Sequence, residues 1–196
     1  DDAYGSFLST ALWRCNYRYA IDNVMDPMHG AYLHAKSHSM STGDKSAQMR
    51  LSETGQGWMF EKENQSGVNF DWVEFADTGT FWMRLAIPYR KNAGPGGNFT
   101  IIGFVTPVTE HVCQVYFWRV RKVSGWERDT WRFLYKNRLE GLHWDVLEQD
   151  RVVLEAMQDN ARTRESLYQH DAGMTKIRRD LRILAQKQVN TQTSHA

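Results

Sequence analysis

The chain has 196 residues, with 24 Lys and Arg against 23 Asp and Glu, a net charge of +1 at pH 7. That balance gives no electrostatic footprint for nucleic acid or an anionic membrane, and no run of 18 apolar residues is present to span a bilayer. The length suits a single domain that buries roughly 70% of its unfolded surface, with aromatics at 13% to fill a core or an apolar pocket.

In chain order, residues 1 to 35 read as mostly helical with short breaks. Residues 36 to 50, "KSHSMSTGDKSAQMR", are small and polar and read as a surface loop. From 51 to about 135 the texture is that of strands: "WMFEKE", "VNFDWVEFA", "TFWMRLAIPY", "NFTIIGFVTPV" and "HVCQVYFWRVRKV" are rich in Val, Ile, Thr and aromatics. In the last of these, Cys113, Val115 and Phe117 point one way and Gln114, Tyr116 and Trp118 the other. "NAGPGGN" at 92 to 98 reads as a hairpin loop. Short connections between successive strands argue for an antiparallel sheet. From Leu139 the period becomes helical, with a stripe at 143, 146, 147, 150, 153, 154 and 157. A second helix is expected from Ala172 to Lys187, with Met174, Ile177, Leu181 and Leu184 on its apolar face, then a disordered tail over 190–196. One domain over 1–189 in the α+β class follows, and the helix-grip fold, a curved antiparallel sheet around a long C-terminal helix, is one solution to it.

Cys15 and Cys113 are far apart and form no CxxC, which argues against a structural zinc site. A chain of this size without a disulfide framework or a visible signal peptide is expected in the cytoplasm. It opens with Asp1-Asp2 rather than Met, and is therefore expected to be a piece of something longer.

Two residues sit where apolar ones belong. Asp150 occupies the centre of the helical stripe, where a carboxylate is costly unless neutralised. Taken alone, a salt bridge to Arg or His is the commoner role of such a residue. His29 lies within a stripe of Met25, Met28 and Tyr32, where a satisfied core histidine is again the commoner role. His34 follows five residues later, about 140° away on a regular helix, so the two rings meet only if the helix distorts or ends. Gly30 permits either. Asp26 and Pro27 read equally well as an N-cap with proline at the first helical position or as a kink in one continuous helix. In both cases Asp26 is one turn from His29 and within reach of its second ring nitrogen. Two histidines and one carboxylate, with no fourth ligand in evidence, have the composition of a facial triad for Fe(II). Zinc hydrolases with this set usually carry HExxH, which does not occur here.

N-x2-D-x2-H-x4-H from Asn23 to His34, followed by "LEQDRVVLEAM" from Leu147, resembles the catalytic domain of Rieske-type non-haem iron oxygenases. The likeness is to the phthalate dioxygenase and vanillate demethylase group, and it spans about residues 12 to 160. It implies iron ligands at His29, His34 and Asp150. It implies that Asp26 links the iron site to a Rieske cluster on a neighbouring subunit and that Asn23 shapes the site. Glu155 matches an often acidic position, with its role open. The implied function is O2- and NADH-dependent hydroxylation or oxidative O-demethylation of an aromatic, commonly acidic, substrate. Electrons would come through a reductase or ferredoxin, and the full-length form would be a homotrimer. The family's C-x-H and C-x2-H cluster motifs do not occur in this chain, so the 2Fe-2S cluster and its N-terminal Rieske domain are expected outside it, and the chain alone is expected not to turn over. Phe70, Trp72, Phe104 and Phe117 are expected to line the pocket or fill the core, and Arg84 and Arg119 could anchor a substrate carboxylate. Of the remaining histidines, His143 is the one expected nearest the pocket. The alternative reading is a helix-grip small-molecule-binding module without catalysis.

Overall fold

A computed structural model describes residues 3–36, 44–63, 72–76, 81–85 as backbone, and 99–193. Seven strands form one sheet in the order β1-β7-β6-β5-β4-β3-β2: β1 Tyr4–Trp13, β2 Met49–Glu53, β3 Gly57–Lys62, β4 Trp72–Ala76, β5 Phe81–Leu85, β6 Phe99–Thr109 and β7 Val112–Lys122. Every pairing is antiparallel, so the α+β assignment and the antiparallel sheet hold. On β7 the side chains alternate as expected: Cys113, Val115 and Phe117 are buried, and Trp118 faces out.

Among the described residues five α-helices accompany the sheet: α1 Tyr17–Val24, α2 His29–Leu33, α3 Gly125–Leu134, α4 Glu140–Glu155 and α5 Ala172–Thr193. A wide π turn, Tyr135–Leu139, joins α3 to α4 without a break, because the residues flanking it keep right-handed helical dihedrals. The core lies between the inner face of the sheet and α1, α4 and α5. Trp13, Phe60, Phe75, Phe99 and Val115 meet Ile21, Met25, Leu147, Leu154 and Ile177 there. A smaller cluster of Val123, Trp131 and Tyr135, with Phe7 and Leu139 against it, fills the other end under β1 and β7.

Several expectations are corrected. The first segment is not mainly helical: β1 pairs with β7 over ten residues, Tyr4 opposite Lys122 through Trp13 opposite Cys113. Its period of two is carried by inward Gly5, Phe7, Ser9, Ala11 and Trp13, and the small members hide it. β2 begins at Met49, inside the expected loop, while positions 37–43, with His38, lie outside the described residues. Helix starts at Gly125, earlier than Leu139, where Gly125 takes a left-handed φ of 56° after extended Ser124. Along α4 the buried face is narrower than the apolar stripe: Leu147, Asp150 and Leu154 are buried, but Val153 and Met157 are exposed. α5 runs on to Thr193, past the expected start of the tail, and its last turns, with Leu184, project into solvent. Phe117 is core and Phe104 lies on the outer face. Phe70 and the 92–98 loop lie outside the described residues, as does the side chain of Arg84. Cys15 and Cys113 are buried thiols with sulfurs 3.9 Å apart. No described helix is long and apolar enough to cross a membrane.

Candidate metal centre

Asn16 caps α1, its side chain accepting the Arg18 N–H at 3.0 Å, and the helix ends where Met25 leaves helical geometry. Asp26 and Pro27 then turn the chain. The Asp26 carboxylate accepts the Met28 N–H at 2.8 Å, and α2 begins at His29. The structure thus places a break at Asp26-Pro27 rather than a kink in one helix. α2 is a single turn. It ends at His34, whose dihedrals of −99° and 27° leave the helix while its N–H still reaches Gly30 O at 3.1 Å. This unwinding brings together two rings that a regular helix would hold 140° apart, and their centres lie 5.2 Å from each other.

Asp150 approaches the pair from α4. Its Oδ1 lies 3.4 Å from His29 Nε2 and 3.3 Å from His34 Nε2. The three residues are the one group of three or more His, Cys, Asp or Glu among the described residues with ligand atoms close enough for an ion, all within 4.8 Å of one another. His34 is fully buried and Asp150 is 5% exposed.

The opposite ring nitrogens show what the near ones can do. His29 Nδ1 lies 2.5 Å from the Asp26 carbonyl oxygen, and His34 Nδ1 lies 3.1 Å from Oε1 of Gln149. Each Nδ1–H therefore donates to an oxygen, which leaves each Nε2 as a lone pair in the neutral ring. Two lone pairs then face a carboxylate oxygen. Three acceptors converging on one buried point need a cation, either a proton on an imidazole or a metal ion. Both effects show in the acidities. Burial pushes the Asp150 carboxyl up, but the two imidazoles outweigh it and hold it at about 2. Burial pulls His29 down, and Asp150 with Asp26 more than reverses that, so its pKa is raised. Separations of 3.3 and 3.4 Å between ligand atoms match those around one shared ion with bonds of about 2.1 Å, roughly 3.0 to 3.4 Å. The residues present fit a metal.

The other expected residues fall close by or elsewhere. Asn23 sits in the last turn of α1, where its carbonyl accepts the Asp26 N–H at 3.3 Å. Asp26 holds the His29 ring through its backbone carbonyl; burial pushes its carboxyl up, against the pull of His29. Glu155 is a strut: Oε1 accepts the Arg14 N–H at 2.8 Å and Oε2 pairs with Arg151, tying the end of α4 to the end of β1. His143 is bonded to the Tyr135 hydroxyl at 3.1 Å and leans on Phe99. Gln149 is the residue that sequence reasoning passed over. It lies off the apolar stripe, and its only signal was a neutral amide adjoining Asp150.

A helix-grip domain of this order thus carries a buried cluster of two histidines and one carboxylate between α2 and α4. The family described as "Vanillate O-demethylase oxygenase C-terminal domain" matches residues 13–187, and the chain belongs to it. Among solved structures it is similar to dicamba monooxygenase bound to dicamba, at 16% identity and a TM-score of 0.67, over 97% of this chain and 61% of that one. It is similar to NdmA of Pseudomonas putida CBB5, solved with caffeine, at 13% identity and a TM-score of 0.66, over 91% and 50%. It is similar to the oxygenase of carbazole 1,9a-dioxygenase, solved in complex with ferredoxin, at 16% identity and a TM-score of 0.62, over 89% and 54%. The chain thus spans about half to three-fifths of the length of these proteins. No curated protein sequence matches it significantly.

Proposed function

We propose that the chain is the catalytic portion of a terminal oxygenase that holds a mononuclear Fe(II) through His29 Nε2, His34 Nε2 and Asp150 Oδ1. The observation that carries this reading is the double commitment of the Nδ1 atoms, to Asp26 O and Gln149 Oε1, which turns both Nε2 lone pairs toward one carboxylate. Two nitrogens and one oxygen without sulfur suit iron and leave coordination positions open. Bound there, the ion would supply O2 activation for hydroxylation or oxidative O-demethylation of an aromatic substrate. The residues of the chain orient the ligands, keep the triad buried and set its proton balance.

The remaining parts follow from the family. A Rieske 2Fe-2S centre outside this chain, supplied from NADH by a reductase or ferredoxin, would deliver electrons to the site by way of Asp26. Its carbonyl holds a ligand ring, and its carboxylate is fixed by the Met28 N–H. Asn23, one turn before Asp26, would shape the site, as the family resemblance implies. A homotrimer would set a neighbour's cluster against Asp26. The aromatic substrates in the solved relatives, dicamba and carbazole, support an aromatic substrate here.

The test is metal content after anaerobic loading with Fe(II), for the chain and for Asp150→Ala. One iron per chain, lost in the variant, is the expected result. Equal iron in both, or none in either, removes the triad from the mechanism.

A further inference from the structure

Cys15 and Cys113 take no part in the metal centre, yet the fold sets their sulfurs 3.9 Å apart although 98 positions separate them in the chain. Buried free cysteines mostly pack as small apolar groups, and both of these belong to the main core. This pair differs from ordinary packing in that the hydrogen-bond partner of each sulfur is the other. Trp13, the last residue of β1, stands opposite Cys113 near the start of β7. The chain then leaves the ladder and bends through Arg14 and Cys15, which keeps Cys15 in the same cluster as Cys113. The bend is held from two sides. The Arg14 N–H donates to Glu155 Oε1 at the end of α4, and the Asn16 side-chain amide donates to the Glu110 carbonyl in the β6–β7 turn, both at 2.8 Å. Cys15 lies between these two anchors, and Cys113 follows Glu110 by three residues, so the anchors fix one thiol against the other.

A disulfide bond is about 2.05 Å long, so the sulfurs have about 2 Å to close. The hydrogen bond between them also separates their acidities. It lowers Cys113 against the opposing effect of burial, and it raises Cys15 together with burial. Cys113 is therefore the first of the two to supply a thiolate. We propose that Cys15 and Cys113 form a redox modification site, a thiol pair that hydrogen peroxide converts to a reversible disulfide stapling the entry of α1 to β7. The Cys113 thiolate attacks one peroxide oxygen, the O–O bond breaks, and the other oxygen leaves as hydroxide, which becomes water with the proton Cys113 has lost. The Cys15 thiol then attacks the sulfur of the sulfenic acid. The S–S bond forms, the S–O bond breaks, and the hydroxyl leaves with the Cys15 proton as a second water. Each sulfur is oxidised by one electron, and the two electrons reduce the peroxide. Cys113 is fully buried and Cys15 nearly so, which leaves no room for a thiol from solution to compete for the sulfenic acid. Asn16 caps α1, and α1 runs into the turn of Asp26 and His29, so the staple braces the helix behind the triad.

The test uses the metal-free chain with a chelator present, so that no iron reacts with the peroxide and neither the triad nor the oxygenase reading enters. Hydrogen peroxide is added in slight excess. Intact mass, peptide maps, Tm and amide hydrogen exchange are read before and after treatment, and again after dithiothreitol. The expected product is a monomer lighter by two hydrogens, with the Cys15 and Cys113 peptides joined. Its Tm is expected to rise by at least about 5 °C, because the bond closes a long loop. Exchange across α1 is expected to slow, and dithiothreitol to reverse all of these changes. Cys15→Ala and Cys113→Ala should each show neither the mass loss nor the Tm shift. The parent chain alone decides whether the bond forms, so a variant that fails to fold leaves the test readable. Thiols unchanged by peroxide, sulfinic or sulfonic acids in place of the joined peptides, or a disulfide between two chains would each overturn the site. A bond that forms but leaves Tm and α1 exchange unchanged overturns the staple.

Discussion

Asp150 and His29 stood out in the sequence because each breaks an apolar stripe, and His34 because it follows His29 at the family's spacing. What neither stripe could show was the tautomer. That depends on the Asp26 carbonyl and the Gln149 amide, and both are set by how α2 unwinds against α4. Gln149→Leu keeps the volume and removes the acceptor, so His34 loses its fixed tautomer. Metal affinity is expected to fall about 10- to 100-fold, read by competition with a chelator. Protons compete with the metal as well. His29 has a folded pKa raised above 6.5, so its pairing stabilises the metal-free protein fully below that pH and is lost as pH rises through the higher folded value. Asp150 is depressed to about 2, so its contribution is present above its usual 3.8 and lost as pH falls toward 2. Metal binding must displace the His29 proton. Affinity should therefore rise with pH through neutrality with proton release, measurable by calorimetry in buffers of different ionisation enthalpy.

Elements are held in place by a second buried charge cluster. Asp22 of α1 accepts two arms of Arg178 from α5, at 2.8 to 3.2 Å, and Glu165 accepts the other edge of the same guanidinium. α1 leads directly into Asn23, Asp26 and the ligand turn, so this cluster anchors the metal centre from behind. Arg178→Met would leave the buried Asp22 carboxylate without its cation and is expected to cost about 3 kcal/mol, read as a lower denaturant midpoint at unchanged slope. Nothing local in the sequence marks this pairing, because Arg178 and Asp22 are 156 residues apart. The same distance problem hid β1: local texture in "YGSFLSTALW" is ambiguous, and only the ladder offered by β7 makes it a strand.

For the molecule as a whole, the triad is a link between α2 and α4. His34 and Asp150 are 116 positions apart, and the first follows α1 while the second follows the complete sheet. An ion at 100 times its dissociation constant should stabilise the native state by about 2.7 kcal/mol. Fe(II) added anaerobically is therefore expected to raise Tm in the parent chain and to leave Asp150→Ala unchanged.

The sequence by itself determined the class and most of the strands, because a period of two with aromatic and β-branched residues needs no partner to be recognised. It also determined the ligand candidates, because a charge on an apolar face is a local anomaly. The tertiary structure alone decided that β1 pairs with β7, that Gln149 orients the His34 imidazole, and that Arg178 meets the buried Asp22. Each of those is a contact between segments a hundred or more residues apart, and periodicity records only which side of its own element a residue occupies.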